Sequence, residues 1–147
     1  MHWPRISILL TLAFAALANL QASEVIKVLP HFLDLKGRHT LNASLYERDA
    51  YQEQLRKNPD QRSALRFDIH WLSFPLDTLL LRVEARGGKQ LNQTNILEQA
   101  VTAHHFRQWT SVKLDGSAYE KFGELVSWRA TLWRGTNMVG EQKSFLW

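Results

Sequence analysis

Residues 65–71 alternate without a break: Leu65, Phe67, Ile69 and Trp71 are apolar, while Arg66, Asp68 and His70 between them are not. A period of two sends successive side chains to opposite faces of an extended chain, so this segment predicts a strand with one buried and one wet face. Residues 79–86 repeat the pattern, with Leu79, Leu81, Val83 and Ala85 inward and Arg82, Glu84 and Arg86 outward, until Gly87-Gly88 stops it. Residues 126–132 alternate again, and Arg134-Gly135-Thr136-Asn137 turns the chain into a last strand over 138–147, a C-terminal hairpin. Weaker strands are expected at 25–35, 96–103 and 109–114.

One helix interrupts the series. Ser44 and Glu47 have the spacing of a capping box, Tyr51 and Leu55 stand one turn apart, Glu53 and Lys57 form an i,i+4 pair, and Asn58-Pro59 ends the segment. A second short turn over 117–122 bridges two strands. The expected fold is therefore all-β: a two-sheet antiparallel β-sandwich of about seven strands, immunoglobulin-like, with one short helix inserted after the first strand. An eight-stranded outer-membrane barrel competes, because it also alternates and ends on an aromatic residue, as Phe145 and Trp147 would allow. Lys143 and Glu141 on the same face oppose it, and a capped helix has no place in a barrel wall.

Composition narrows the class. With 147 residues, 45% hydrophobic and 22% charged, 7 glycines and 4 prolines, the chain suits one globular domain and excludes low-complexity disorder. Residues 1–22 read as a secretory signal: Arg5 is the positive n-region, 6–18 the apolar h-region, and small residues follow, with cleavage after Ala18 or, preferred, after Ala22. The domain is then 23–147, periplasmic or secreted. Cleavage takes Arg5 from the 18 Lys+Arg and leaves the 14 Asp+Glu, a formal charge of +3. The cations are scattered, Arg56-Lys57 being the one adjacent pair, so no nucleic-acid stripe is expected. Without cysteine there is no disulfide, thiol nucleophile, cysteine zinc site or lipid-anchored N-terminus.

Residues 109–114, the Leu114-Asp115-Gly116 turn, Tyr119 and the alternating strand from Val126 resemble the later strands of an immunoglobulin-like or fibronectin type III-like sandwich. The stretch from Val28-Leu29-Pro30-His31-Phe32-Leu33-Asp34 to the terminal Lys143-Ser144-Phe145-Leu146-Trp147 is similar to an uncharacterised family of short exported bacterial proteins. That resemblance implies export and a single domain, and no activity.

Candidate chemistry is sparse. His31, His39, His70, His104 and His105 show neither H-x-x-x-H nor H-E-x-x-H spacing, and the adjacent pair His104-His105 points to opposite faces of a strand, so they are expected to be exposed strand and loop side chains. No metal and no cofactor is expected. Asp68 and His70 share one face, yet a hydrolase would need a serine from another strand and an oxyanion hole, and no G-x-S-x-G elbow occurs. No catalytic residue is expected. Tryptophan is the unusual component, with 6 in the chain. Trp71 and Trp128 fall inward, whereas Trp133 stands outward with Arg129, beside Arg134 and near Trp147 on the neighbouring strand. Those four, Trp133, Trp147, Arg129 and Arg134, are the candidate binding residues. The expectation is an exported, non-catalytic binding or structural module of a bacterial envelope that meets an envelope protein or polysaccharide. Two other readings are a carbohydrate-binding module using Trp133, Trp147 or Trp109, and a small hydrolase or metal protein using His70 with Asp68 or His104.

Overall fold

The computed structural model describes residues 23–147, so the signal reading of residues 1–22 and both cleavage points lie outside the described residues. The elements are β1 (Glu24–Asp34), helix α1 (Leu45–Lys57), a 3-10 turn (Pro59–Gln61), β2 (Arg62–Leu72), β3 (Thr78–Gly87), β4 (Asn95–Thr102), β5 (Arg107–Leu114), the short helix α2 (Gly116–Glu120), β6 (Leu125–Arg134) and β7 (Asn137–Lys143). They form two antiparallel sheets, β1-β2-β5 and β4-β3-β6-β7, the seven-stranded sandwich that the alternation predicts, with its helix after the first strand. Two open sheets take the place of the closed wall a barrel requires. The fourth strand pairs with the third, giving three strands against four, where constant-type immunoglobulin domains have four against three.

The core lies where period two puts it. Leu65, Phe67, Ile69 and Trp71 of β2 are buried with Leu79, Leu81, Val83 and Ala85 of β3 and Ala130 and Leu132 of β6. Trp71 keeps its one polar atom satisfied by donating from Nε1 to Thr110 Oγ1 at 2.9 Å. Helix α1 seals one side by burying Leu55 and Gln52. The Gln52 amide accepts from Phe32 N at 2.8 Å and donates to Phe32 O at 2.9 Å, so it stands in for a neighbouring strand along the free edge of β1.

Three local expectations are corrected. Ser44 is the N-cap of α1 but its hydroxyl makes no capping bond, so the capping box does not form. The last strand ends at Lys143, not Trp147: Ser144 bonds both backbone groups of Trp128, donating N–H to Trp128 O at 2.9 Å and accepting from Trp128 N at 3.0 Å on Oγ. Beyond that clamp the chain turns back, with Trp147 N bonded to Ser144 O. His31 is buried rather than exposed. Gly140 sits beside a bulge, since Leu132 faces Gly140 while Trp133 faces Met138, leaving Val139 extra. A Cβ on Gly140 would come within 3.2 Å of Val25 N, so the glycine lets β7 close against β1.

Candidate functional site

The four residues proposed for binding occupy three separate settings. Trp133 is on the outer face of the four-stranded sheet, between Leu80 and Met138 in register. Its ring is covered by the Arg82 guanidinium, 5.2 Å from the centroid, and its Nε1 donates to the fully buried Thr131 hydroxyl at 2.9 Å. Arg129, on the same face, is held by Glu141 at 2.6 Å and by Glu84 at 3.7 Å. Trp147 lies further along that sheet under Arg86, 4.2 Å from its ring centroid. Arg82 and Arg86 are four residues apart on β3, roughly 13 Å at strand rise, so the two tryptophans do not share one platform. Each is half covered by its own arginine. Trp133→Ala is expected to lower stability by about 1 to 2 kcal/mol through loss of the stacked cation and exposure of Thr131, and a thermal melt measures it.

Arg134 serves a loop instead. It donates to Asp77 from Nε at 3.2 Å and also from Nη2, and Nη2 reaches Ser23 Oγ at 3.2 Å. The guanidinium, joined by the Ser73 hydroxyl at 2.7 Å, holds the Asp77 carboxyl below its ordinary range despite its burial.

On the outer face of the three-stranded sheet Asp68 is a hub. His31 Nδ1 lies 3.0 Å from its Oδ2, Arg66 Nη2 2.9 Å from the same oxygen, and the Ser111 hydroxyl donates to Oδ1. Burial opposes ionisation there, yet these three bonds outweigh it and hold the carboxyl well below the usual range. In a serine hydrolase the histidine stands between acid and nucleophile; here the acid stands between histidine and serine, so Ser111 faces a very weak base. His70 is not a partner of Asp68: its ring stacks on Trp109 at 4.7 Å and 6°. That leaves Trp109, directly opposite His70 on β5, 52% exposed with one ring face taken by the imidazole. His104 is exposed in the β4–β5 loop, and among the described residues no three His, Cys, Asp or Glu side chains converge as a metal site would need.

The two poles of the sandwich carry features with less obvious sequence signals. At the pole that Arg134 braces, the β2–β3 and β4–β5 loops are tied by backbone bonds from Ser73 N to Phe106 O at 3.0 Å, Leu76 N to Ala103 O at 2.7 Å and Ala103 N to Asp77 O at 2.9 Å. Phe74, Pro75, Leu76 and Asp77 form a turn closed by Asp77 N to Phe74 O. Pro75 suits its second position, but the third has φ +68° at Leu76, a place normally taken by glycine or asparagine. A leucine in that region costs roughly 1 to 2 kcal/mol. Its side chain recovers little, being 82% exposed. Phe74 and Phe106 meet edge to face at 6.1 Å and are both exposed beside it. The adjoining polar residues on the β4–β5 loop and the start of β5 are His104, His105 and the cationic Arg107, all exposed.

At the opposite pole, Gly87 and Gly88 let the β3–β4 loop lie on the β5–β6 crossover. A Cβ on Gly87 would fall 2.1 Å from Phe122 O, and Gly88 N and Lys89 N donate to Glu124 O and Phe122 O at 2.7 and 3.1 Å. Beside them is a cavity of about 600 Å³ lined by Pro59, Arg62, Lys89, Tyr119, Glu120 and Glu124. The Arg62 side chain is only 3% exposed, with its guanidinium 4.3 Å over the Phe32 ring. Nη2 donates to Glu124, while Nε and Nη1 are buried and find no hydrogen-bond partner among the described residues. Each such N–H costs roughly 1 to 3 kcal/mol. A methionine would cover Phe32 without that penalty.

Leu76, Phe74, Phe106, Arg62, Lys89 and Tyr119 were not among the predicted site residues. Pro75 marks the turn in the sequence, but nothing local says that a leucine takes its strained position, and Arg62 lies ahead of the alternating run at 65–71 that predicts the strand. Compared with family models, curated proteins and solved structures, the chain matches none, so its chemistry is read from its own side chains.

Proposed function

We propose that the chain is an exported, non-catalytic binding module of a bacterial envelope, and that it grips an envelope protein with the pole formed by Phe74, Leu76 and Phe106. The observation that carries this reading is Leu76: a strained backbone supports a large apolar side chain in solvent, on a turn braced by Asp77 and Arg134. Strain of this kind persists where the surrounding structure enforces it, and it concentrates at functional sites. Aromatic residues are enriched at protein interfaces, and a contiguous apolar patch held in solvent marks an interaction site. The exposed Arg107 at the rim suits a partner whose apolar groove carries an acidic group at its border.

Leu76→Gly separates stability from binding. Glycine relieves the positive φ but loosens the unfolded chain by roughly 0.4 to 1 kcal/mol, so the net change is a gain of a few tenths to about 1 kcal/mol. The variant is expected to melt at or slightly above the wild-type temperature while losing capture of the partner that wild type retains from envelope extract. Lower stability with unchanged capture contradicts the reading.

A second reading, carbohydrate binding, is favoured by Trp109, which is half exposed and whose ring orientation is fixed by stacking on His70. Retention on polysaccharide that depends on Trp109 and not on Leu76 would select it.

A further inference from the structure

We infer that the cavity beneath the β5–β6 crossover is a binding site for a small organic anion, a carboxylate or phosphate carried on a body of sugar size. The inference is independent of the protein-binding pole, since the two lie at opposite ends of the sandwich. A volume near 600 Å³ falls in the range that encloses small-molecule ligands. Its chemistry is set by Arg62, whose guanidinium is almost wholly buried yet has two nitrogens, Nε and Nη1, without a partner among the described residues. Arginine presents a planar fork that binds carboxylate and phosphate oxygens two at a time. Here Glu124 occupies only Nη2. The Glu124 side chain is itself 57% exposed, so it can swing into water and surrender the fork to an incoming anion. Lys89 adds a second cation at the rim, where its Nζ donates to Glu120 O at 3.0 Å, and Tyr119, partly buried against the core, lines the cavity beside it. The Glu120 and Glu124 carboxylates disfavour a polyanion, which restricts the site to a ligand with one anionic group.

Glu124 is thus an internal competitor, and that gives the test. Amide spectra of the protein are followed while glucuronate, glucose 6-phosphate and neutral glucose are added at low ionic strength. Either anion, or both, is expected to shift Gly88, Lys89 and Gly123 saturably, with carboxylate and phosphate told apart by which titrant acts, and glucose is expected to leave them unmoved. Glu124→Gln should tighten the anion's dissociation constant about tenfold, and Arg62→Met should weaken it at least tenfold. If Arg62→Met does not fold, Glu124→Gln decides alone. Equal shifts with glucose, no saturable shift with either anion, or binding unchanged or weakened in Glu124→Gln would each overturn the inference.

Discussion

Replacing Phe67 by alanine is expected to cost about 3 to 5 kcal/mol, a large share of the roughly 5 to 15 kcal/mol that such a domain has in total. Phe67 is fully buried at the centre of β2, opposite Pro30 on β1 and Val112 on β5, and it belongs to the cluster that joins the two sheets. Neither neighbour can move in to fill the space, because both are fixed by the ladders on either side, so the lost contacts and the cavity add. Arg66, one residue earlier, points to the opposite face and pairs with Asp68, leaving that carboxylate its bonds to His31 and Ser111 when the arginine is removed. Arg66→Ala is therefore expected to cost about 1 kcal/mol or less. Denaturant melts compare the two directly, and similar midpoints would contradict the assignment of faces.

The second large effect is expected at Asp34, the last residue of β1. Its carboxylate accepts from the Tyr51 hydroxyl at 2.6 Å, from the backbone N–H groups of Lys36 and Arg38 at 2.8 and 2.9 Å, and from Arg38 Nε at 2.9 Å. This one buried side chain ties the strand end, the following loop and helix α1 together. Asp34→Ala leaves those donors without their acceptor and is expected to cost about 2 to 4 kcal/mol. Burial works against the charge, but the bonds from Tyr51, Arg38 and Lys36 outweigh it and hold the carboxyl well below its ordinary value. The folded value lies below the unfolded one, so its stabilisation is present above the unfolded pKa and is lost as pH falls from about 4 toward 2. Asp68 is depressed in the same sense and adds to the acid sensitivity. Asp34→Asn is expected to flatten the stability curve over that interval. An unchanged slope would mean that the carboxylate carries no such load.

The fold was legible because a single local rule decides it. Alternation in β2, β3 and β6 fixes which face is buried, and two faces that must both be covered leave a sandwich as the economical answer. Helix α1 was legible from its Tyr51–Leu55 spacing, although its cap was misread: Ser44 has the right residue type, but its hydroxyl makes no bond to the helix. What stayed hidden depends on residues far apart in sequence. The burial of His31 follows from Asp68 on the next strand, the early end of β7 follows from Ser144 folding onto Trp128, and the covering of Trp133 follows from Arg82. Outward parity placed Trp133 on the correct face without revealing that an arginine already sits on it. Arg62 was hidden for the same reason, since the crossover carrying Glu124 lies 62 residues later.

Site-specific photocrosslinking in the native host tests the binding pole most directly. A photoreactive phenylalanine analogue is placed at position 76, and in a parallel chain at position 145, where Phe145 is fully exposed but remote in its setting from the paired loops. The expected result is one discrete crosslinked species from position 76, lost when Phe106→Ser is introduced into the same chain, with none from position 145. Crosslinks of equal strength from both positions, or a species at position 76 that survives Phe106→Ser, would contradict the assignment of this pole as the partner's seat.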